Sequence, residues 1–220
     1  MTPVRADDSP EVAGPLGVVL AGGAARRLRG AKATAVLGGR PLAAWVVAAL
    51  RSVVEEAVVV AKPETELPGL GYGVEVWREP ASPVHPLAGI AWALERAGGR
   101  ALLVCAVDLP FSADALRAVV AAGTGADSGT GVGADSGVGA GAGAGAGAPI
   151  VIAAGQPLLG IYRATVGPAL REAVAAGRPA RATVGGLGAV SVAVPDPERT
   201  LFNVNTPEDL ARAEAMVAGG

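Results

Sequence analysis

Short apolar runs alternate with longer amphipathic stretches along most of the chain. Residues 16–20 (Leu-Gly-Val-Val-Leu), 57–61 (Ala-Val-Val-Val-Ala) and 101–107 (Ala-Leu-Leu-Val-Cys-Ala-Val) are continuous, rich in β-branched side chains and too short for ordinary helices. That pattern predicts strands buried on both faces. Residues 73–77, 149–153, 156–163 and 190–194 read as further strands, and the run 101–107 ends at Asp108. Between them, residues 41–51 place Leu42, Trp45, Val46, Ala49 and Leu50 on one helical face. Further helices are predicted from about Leu87 to Ala97, from an N-cap at Ser112 through Val120, and from about Val166 to Ala176. A terminal helix follows Thr206 as N-cap, with Pro207 at its first position and Asp209 at the capping-box position. Strands and helices alternating at this spacing predict an α/β fold, a single doubly wound and mostly parallel sheet of the Rossmann-like kind. Its ligands would sit outside the carboxyl ends of the strands.

Two stretches break the pattern. Residues 1–14 carry Asp7, Asp8 and Glu11 without an apolar core and read as a flexible tail, with no signal peptide. Residues 123–148 collapse into Gly and Ala, a composition that offers little to bury and loses much entropy on ordering, so a disordered insertion within one 15–220 domain is expected. A short Gly-Ser linker should replace it without loss of activity.

Composition narrows the function. Of the 220 residues 51 % are hydrophobic but only 3 % aromatic, so the core must be built from Ala, Val and Leu. A net charge of −2 supplies no positive field for general nucleic-acid binding. No charge-free and glycine-free apolar run reaches membrane-spanning length, and the single cysteine, Cys105, excludes an intrachain disulfide. A cytoplasmic protein without nucleic-acid or membrane partners is the expectation.

Positive charge is instead concentrated just after the first strand, in Leu20-Ala21-Gly22-Gly23-Ala24-Ala25-Arg26-Arg27-Leu28-Arg29-Gly30-Ala31-Lys32. Paired glycines let backbone N–H groups approach an anion, and Arg and Lys neutralise it. A nucleoside triphosphate is the expected guest, although a glycine-rich turn with a solvated basic run has the same composition. Neither the Walker spacing nor Gly-x-Gly-x-x-Gly is present. At the other strand end, Asp108 before Leu109-Pro110-Phe111 sits where a single carboxylate can hold Mg²⁺ together with phosphate oxygens, or else cap the following helix.

The glycine loop resembles the signature of the small nucleotidyltransferases, most closely that of the molybdenum cofactor guanylyltransferases: Leu-Ala-Gly-Gly-x-x-Arg-Arg-hydrophobic, then Lys. The resemblance implies a Rossmann-like nucleotidyltransferase fold, with the nucleotide held at Leu20, Ala21, Gly22, Gly23 and Lys32 and with Arg26 or Arg27 on its phosphates. Residues 104–111 resemble the family's apolar strand followed by Asp-x-Pro-Phe, which implies Mg²⁺ as cofactor at Asp108. Pro86-Leu87-Ala88-Gly89-Ile90 is similar to a segment beside the base, placing Pro86, Leu87 and Gly89 there. Glu79 is the nearest counterpart of an upstream acid that contacts the nucleoside. Asn203-Val204-Asn205-Thr206-Pro207-Glu208-Asp209-Leu210 resembles an acceptor segment, and Gln156-Pro157-Leu158 resembles another, which implies that Gln156, Asn203 and Asn205 bind the acceptor. A helix start alone accounts for Thr206 to Asp209 but leaves the two asparagines unexplained. The chain departs from the family at Arg29, where glycine is usual, at Ala31, where aspartate precedes the lysine, and at His85, which replaces a glycine. A side chain at 85 would narrow the pocket or bond to the ligand.

The implied reaction is attack of the molybdopterin phosphate on the α-phosphorus of GTP, with pyrophosphate leaving. Lys32, Asp108, Arg26 and Arg27 would be the catalytic set. GTP and molybdopterin are the implied partners, with molybdoenzymes or their chaperones as recipients of the product. Two alternatives stay open: transfer from CTP or to another small phosphate, and a non-catalytic protein that binds nucleotide or cofactor.

Overall fold

The computed structural model describes residues 14–22, 32–71, 73–125 and 145–219. A seven-stranded sheet organises them, built from β1 (Leu16–Leu20), β4 (Ala57–Ala61), β5 (Glu75–Arg78), β6 (Leu102–Ala106), β7 (Ile150–Ala153), β8 (Gln156–Tyr162) and β9 (Val190–Val192). The strand order is β5-β4-β1-β6-β8-β7-β9. Only β8 runs antiparallel to its neighbours, β6 and β7; every other adjacent pair is parallel. The sheet is thus doubly wound and mostly parallel. A two-stranded ribbon, β2 (Val36–Leu37) with β3 (Arg40–Pro41), stands apart from it.

Side chains alternate across the strands and feed two cores. Val19, Val59, Leu103 and Cys105 meet α1 (Leu42–Arg51) and α3 (Ala113–Thr124) on one face. Val18, Val58, Val60, Leu102 and Val104 meet α2 (Ala88–Arg96) and α4 (Gly167–Ala175) on the other. This period-two division is what a strand covered on both faces requires. A third cluster, around Leu37, Leu42, Val204 and Ala213, docks the terminal helix α7 (Pro207–Ala218) onto the ribbon.

Several elements differ from the sequence expectation. Residues 33–39 form more than a bridge because they contain β2 and lead into β3; Pro41 is extended and helix α1 begins only at Leu42. Trp45 is half-buried, its indole N–H donating to the Leu37 carbonyl at 2.9 Å, whereas Ala43 and Val47 join the buried face. Ser112 stands at the N-terminus of α3 but does not cap it with its side chain. It accepts instead from Cys105 Sγ at 3.3 Å, and burial pushes that thiol up to about 12. Strand β5 starts two residues later than predicted and β9 is shorter. The short helices α5 (Ala180–Gly186) and α6 (Pro197–Thr200) carry too few residues for a periodic signal.

The Gly/Ala stretch is ordered at both ends. Helix α3 continues through Thr124 with Gly123 buried inside it, where a Cβ would lie 2.7 Å from Ile161 Cδ1; glycine allows that close approach. Gly145 packs in the same way against Val151. Residues 126–144, which hold the rest of the predicted insertion, lie outside the described residues, as do residues 1–13 of the predicted tail. Gly14 is anchored, its carbonyl accepting from Arg100. Among the described residues no helix is long and apolar enough to cross a membrane.

Candidate active site

The carboxyl ends of β1, β4, β5 and β6 and the start of β8 share one edge of the sheet, and a cleft of about 230 Å³ opens there. Backbone pairing brings the strand ends together: Ala21 N donates to Val60 O and Val107 N to Leu20 O. Leu20, Gly22, Lys32, Glu79, Pro86, Gly89 and Asp108, all singled out in the sequence, line the cleft. Ala21 is buried beneath it, and Leu87 is fully buried in the core under α2. Gly23, Arg26 and Arg27, with Arg29 and Ala31, lie outside the described residues.

Lys32 joins three remote segments. Its Nζ donates to Asp108 Oδ2 at 3.0 Å and to Asn205 Oδ1 at 2.5 Å. The contact with Asn205 exists because the 203–205 segment is laid along the Asp108 turn: Val204 N donates to Asp108 O at 2.9 Å, and the Val204 side chain is fully buried. Helix α7 then fixes Asn205 from below. Asp209 Oδ2 accepts from the backbone N–H groups of Asn205 (3.1 Å) and Thr206 (3.0 Å), while Thr206 Oγ1 accepts from Asp209 N at 3.1 Å. These bonds, that from Asn205 first, hold the Asp209 carboxyl below its ordinary range. The predicted capping box is therefore also a clamp on a cleft residue. Asn203 differs: its amide donates to Leu201 O at 3.0 Å. Gln156 is half-buried as the first residue of β8, and of its segment it is Leu158 that lines the cleft.

Asp108 does not cap α3. One of its oxygens is paired with Lys32; the other, Oδ1, is buried without a hydrogen-bond partner among the described residues. A buried orphan carboxylate oxygen calls for a ligand. Among the described residues there is no group of three or more His, Cys, Asp or Glu able to cage a metal. One carboxylate with an adjacent amide oxygen does suit Mg²⁺, which keeps its remaining positions for water and phosphate oxygens. The donor set at Asp108 thus fits that ion.

The opposite wall holds a residue that the sequence reading missed. Lys62, directly after β4, is 5 % exposed and pairs with Glu79 at 3.3 Å. Burial raises the Glu79 carboxyl, while the Lys62 charge opposes the rise. Gly22 must lack a side chain here, since a Cβ would stand 2.5 Å from Glu79 Oε1. A charged residue at the end of an all-apolar strand was the available signal, the same one that marked Asp108. His85 lines the cleft, yet both ring nitrogens are engaged by the protein: Nδ1 accepts from Leu87 N at 3.1 Å and Nε2 lies 2.8 Å from the Arg178 carbonyl. The imidazole therefore pins the loop before α2 to the end of α4, and its ring nitrogens are not turned to a ligand.

Comparison with known proteins shows the family and the fold. Residues 17–191 match the family model described as the MobA-like NTP transferase domain. The chain is 36 % identical over 209 residues to the molybdenum cofactor guanylyltransferase of Cereibacter sphaeroides, covering 91 % of this chain and 96 % of that one. Molybdopterin-guanine dinucleotide biosynthesis protein A from Archaeoglobus fulgidus superposes with a TM-score of 0.69 at 26 % identity, over 93 % of this chain and 100 % of the other. The 2-C-methyl-D-erythritol 4-phosphate cytidylyltransferase of Thermus thermophilus shares the fold, with a TM-score of 0.59 at 22 % identity over 91 % of this chain and 98 % of its own.

Proposed function

The chain belongs to the MobA-like NTP transferase family, and from that premise we propose that it is a nucleotidyltransferase moving GMP from GTP to the phosphate of molybdopterin, with release of pyrophosphate. The observation that carries this reading is the meeting of Lys32, Asp108 and Asn205 at one edge of the sheet, three segments whose sequence motifs were distinct. In the reaction a phosphate oxygen of the acceptor bonds to the α-phosphorus of GTP and the bond from that phosphorus to the β-phosphate oxygen breaks. The nucleophile is anionic near neutral pH, so no general base is needed to create it.

The work left to the protein is positioning and neutralisation of charge. The backbone at Gly22 is open to close approach because no side chain occupies that place. Lys32 places its ammonium between the Asp108 turn and Asn205 of the acceptor segment, and so between both candidate substrate sides. Glu79, across the cleft, presents an acceptor to the base. Asp108, through its unpartnered oxygen, with Asn205 would hold Mg²⁺, which when bound supplies further neutralisation of the triphosphate. Arg26 and Arg27 belong to the same loop and would add positive charge at the phosphates.

Pyrophosphate release from GTP, Mg²⁺ and molybdopterin tests the proposal, with CTP as the control for the base. GTP should support release only when the acceptor is present, and CTP should not replace it. Asp108→Ala and Lys32→Ala should each abolish transfer in a protein that remains folded by circular dichroism. Turnover like that of the unaltered protein in either variant would refute the assignment.

A further inference from the structure

The ammonium of Lys62 has three protons and three acceptors around it: the carbonyls of Pro80 at 2.7 Å and Pro83 at 3.1 Å, and Oε2 of Glu79 at 3.3 Å. Two of its protons are donated to backbone carbonyls and its charge is paired with Glu79, so the ammonium is committed within the protein. Lys62 and Glu79 nevertheless both line the cleft, each only 5 % exposed. The second oxygen of Glu79, Oε1, faces the glycines: a Cβ on Gly22 would stand 2.5 Å from it and one on Gly89 3.4 Å. The backbone of Lys62 is tied as well, its carbonyl accepting from Arg78 Nη1 at 2.8 Å. Lys62 thus braces both the carboxylate and the proline-rich loop that walls the cleft.

The state of that carboxylate decides what it can recognise. An ionised carboxylate only accepts hydrogen bonds, whereas a protonated one also donates. Guanine offers two adjacent donors, N1–H and the 2-amino group, on its pairing edge; cytosine offers acceptors beside a single amino group. An anionic Glu79 matches the first and repels the second. We propose that Lys62 is a positioning residue for base selection, holding Glu79 as an anion aimed into the cleft so that it accepts from the guanine N1–H and 2-amino groups. This rests on the reading of Glu79 as the base contact. Burial acts against the anion, and Glu64 adds to that effect. Among the described residues the other charged groups nearby are committed elsewhere: Lys32 to Asp108 across the cleft, and Arg171 to Glu95 in the cavity behind Pro80 and Pro83. His85, the remaining titratable group of the loop, is bonded to Leu87 and Arg178.

Equilibrium binding of GTP and ITP to the full chain between pH 6 and 8 tests this, ITP lacking the 2-amino group and both nucleotides sharing the titration of the triphosphate. The unaltered protein should bind GTP at least about tenfold tighter than ITP, with a ratio that is flat over this range. Lys62→Met should bind GTP about tenfold or more weakly at pH 6 and recover as the pH rises and Glu79 loses its proton. Lys62→Arg should keep the flat profile. Unchanged affinity and a flat profile in Lys62→Met would overturn the proposal. Glu79→Gln separates the two levels: if it binds and discriminates like the unaltered protein, the base contact itself is wrong. If it loses discrimination while Lys62→Met does not, only the role of Lys62 fails. Should Lys62→Met not fold, carbon-13 NMR of the Glu79 carboxyl in the unaltered protein decides, an ionised group at pH 7 supporting the proposal and a protonated one overturning it.

Discussion

At Asp108 a single side chain meets two demands, since one oxygen holds the Lys32 ammonium and the other is buried without a partner among the described residues. An isosteric Asp108→Asn change removes the charge with little change of packing. It should lower transfer by about 10²-fold or more while the melting temperature moves little. Lys32→Met should do the same, and because the two side chains touch, the double variant should fall short of the product of the single effects. Steady-state rates of the three proteins check this, and simple multiplicativity would show that Lys32 and Asp108 act separately. Lys32 was legible in the sequence because it closes a glycine loop rich in cations, and Asp108 because it ends an apolar strand. Lys62 obeys the same logic but was passed over. A lysine after Ala-Val-Val-Val-Ala reads as a solvated strand end until the 80–83 loop folds over it.

Two devices at helix starts tie elements to the cleft. In α7 the Asp209 carboxylate holds the Asn205 and Thr206 N–H groups, so Asp209→Ala should cost about 1 kcal/mol of stability and also loosen Asn205 beside Lys32. The pH dependence has a definite sign. Because the folded carboxyl lies below its ordinary value, its contribution is complete above the unfolded range near about pH 4 and is lost as the pH falls through the lower folded value. Urea denaturation from pH 6 downward should therefore show an acid loss in the unaltered protein that Asp209→Asn lacks. At α2, His85→Asn keeps an oxygen able to accept from Leu87 N but loses the bond to Arg178, whereas His85→Ala loses both. Their stabilities should rank in that order, each step about 1 kcal/mol, in thermal or urea unfolding. The capping box was legible because its spacing is local. The tether from His85 spans 93 positions, and no local pattern encodes it. The same reason hid the true partner of Ser112, which belongs to Cys105 in the neighbouring strand.

Across the molecule, the two-sided strands dictated the doubly wound sheet, and the alternation of strands and helices placed the cleft at their carboxyl edge. The antiparallel turn of β8 against β7 follows from the two-residue link at Ala154-Gly155, too short for a parallel crossover, whereas the pairing of β8 with β6 is long-range and no local pattern encodes it. The Gly/Ala stretch differs: composition alone assigned residues 123–148 to a loop, yet Gly123 and Gly145 pack closely on the core, where a side chain would displace Ile161 Cδ1 or Val151 Cγ2. Exchanging residues 126–144 for a short Gly-Ser linker should therefore preserve both stability and turnover. An exchange that also takes Gly123 and Gly145 should lower the melting temperature. Transfer at the cleft is read directly from pyrophosphate and dinucleotide formation by the purified chain given molybdopterin, Mg²⁺ and either GTP or CTP. Stoichiometric pyrophosphate and molybdopterin-guanine dinucleotide from GTP alone is the predicted result. Nucleotide binding with no transfer, or equal transfer from CTP, would contradict it.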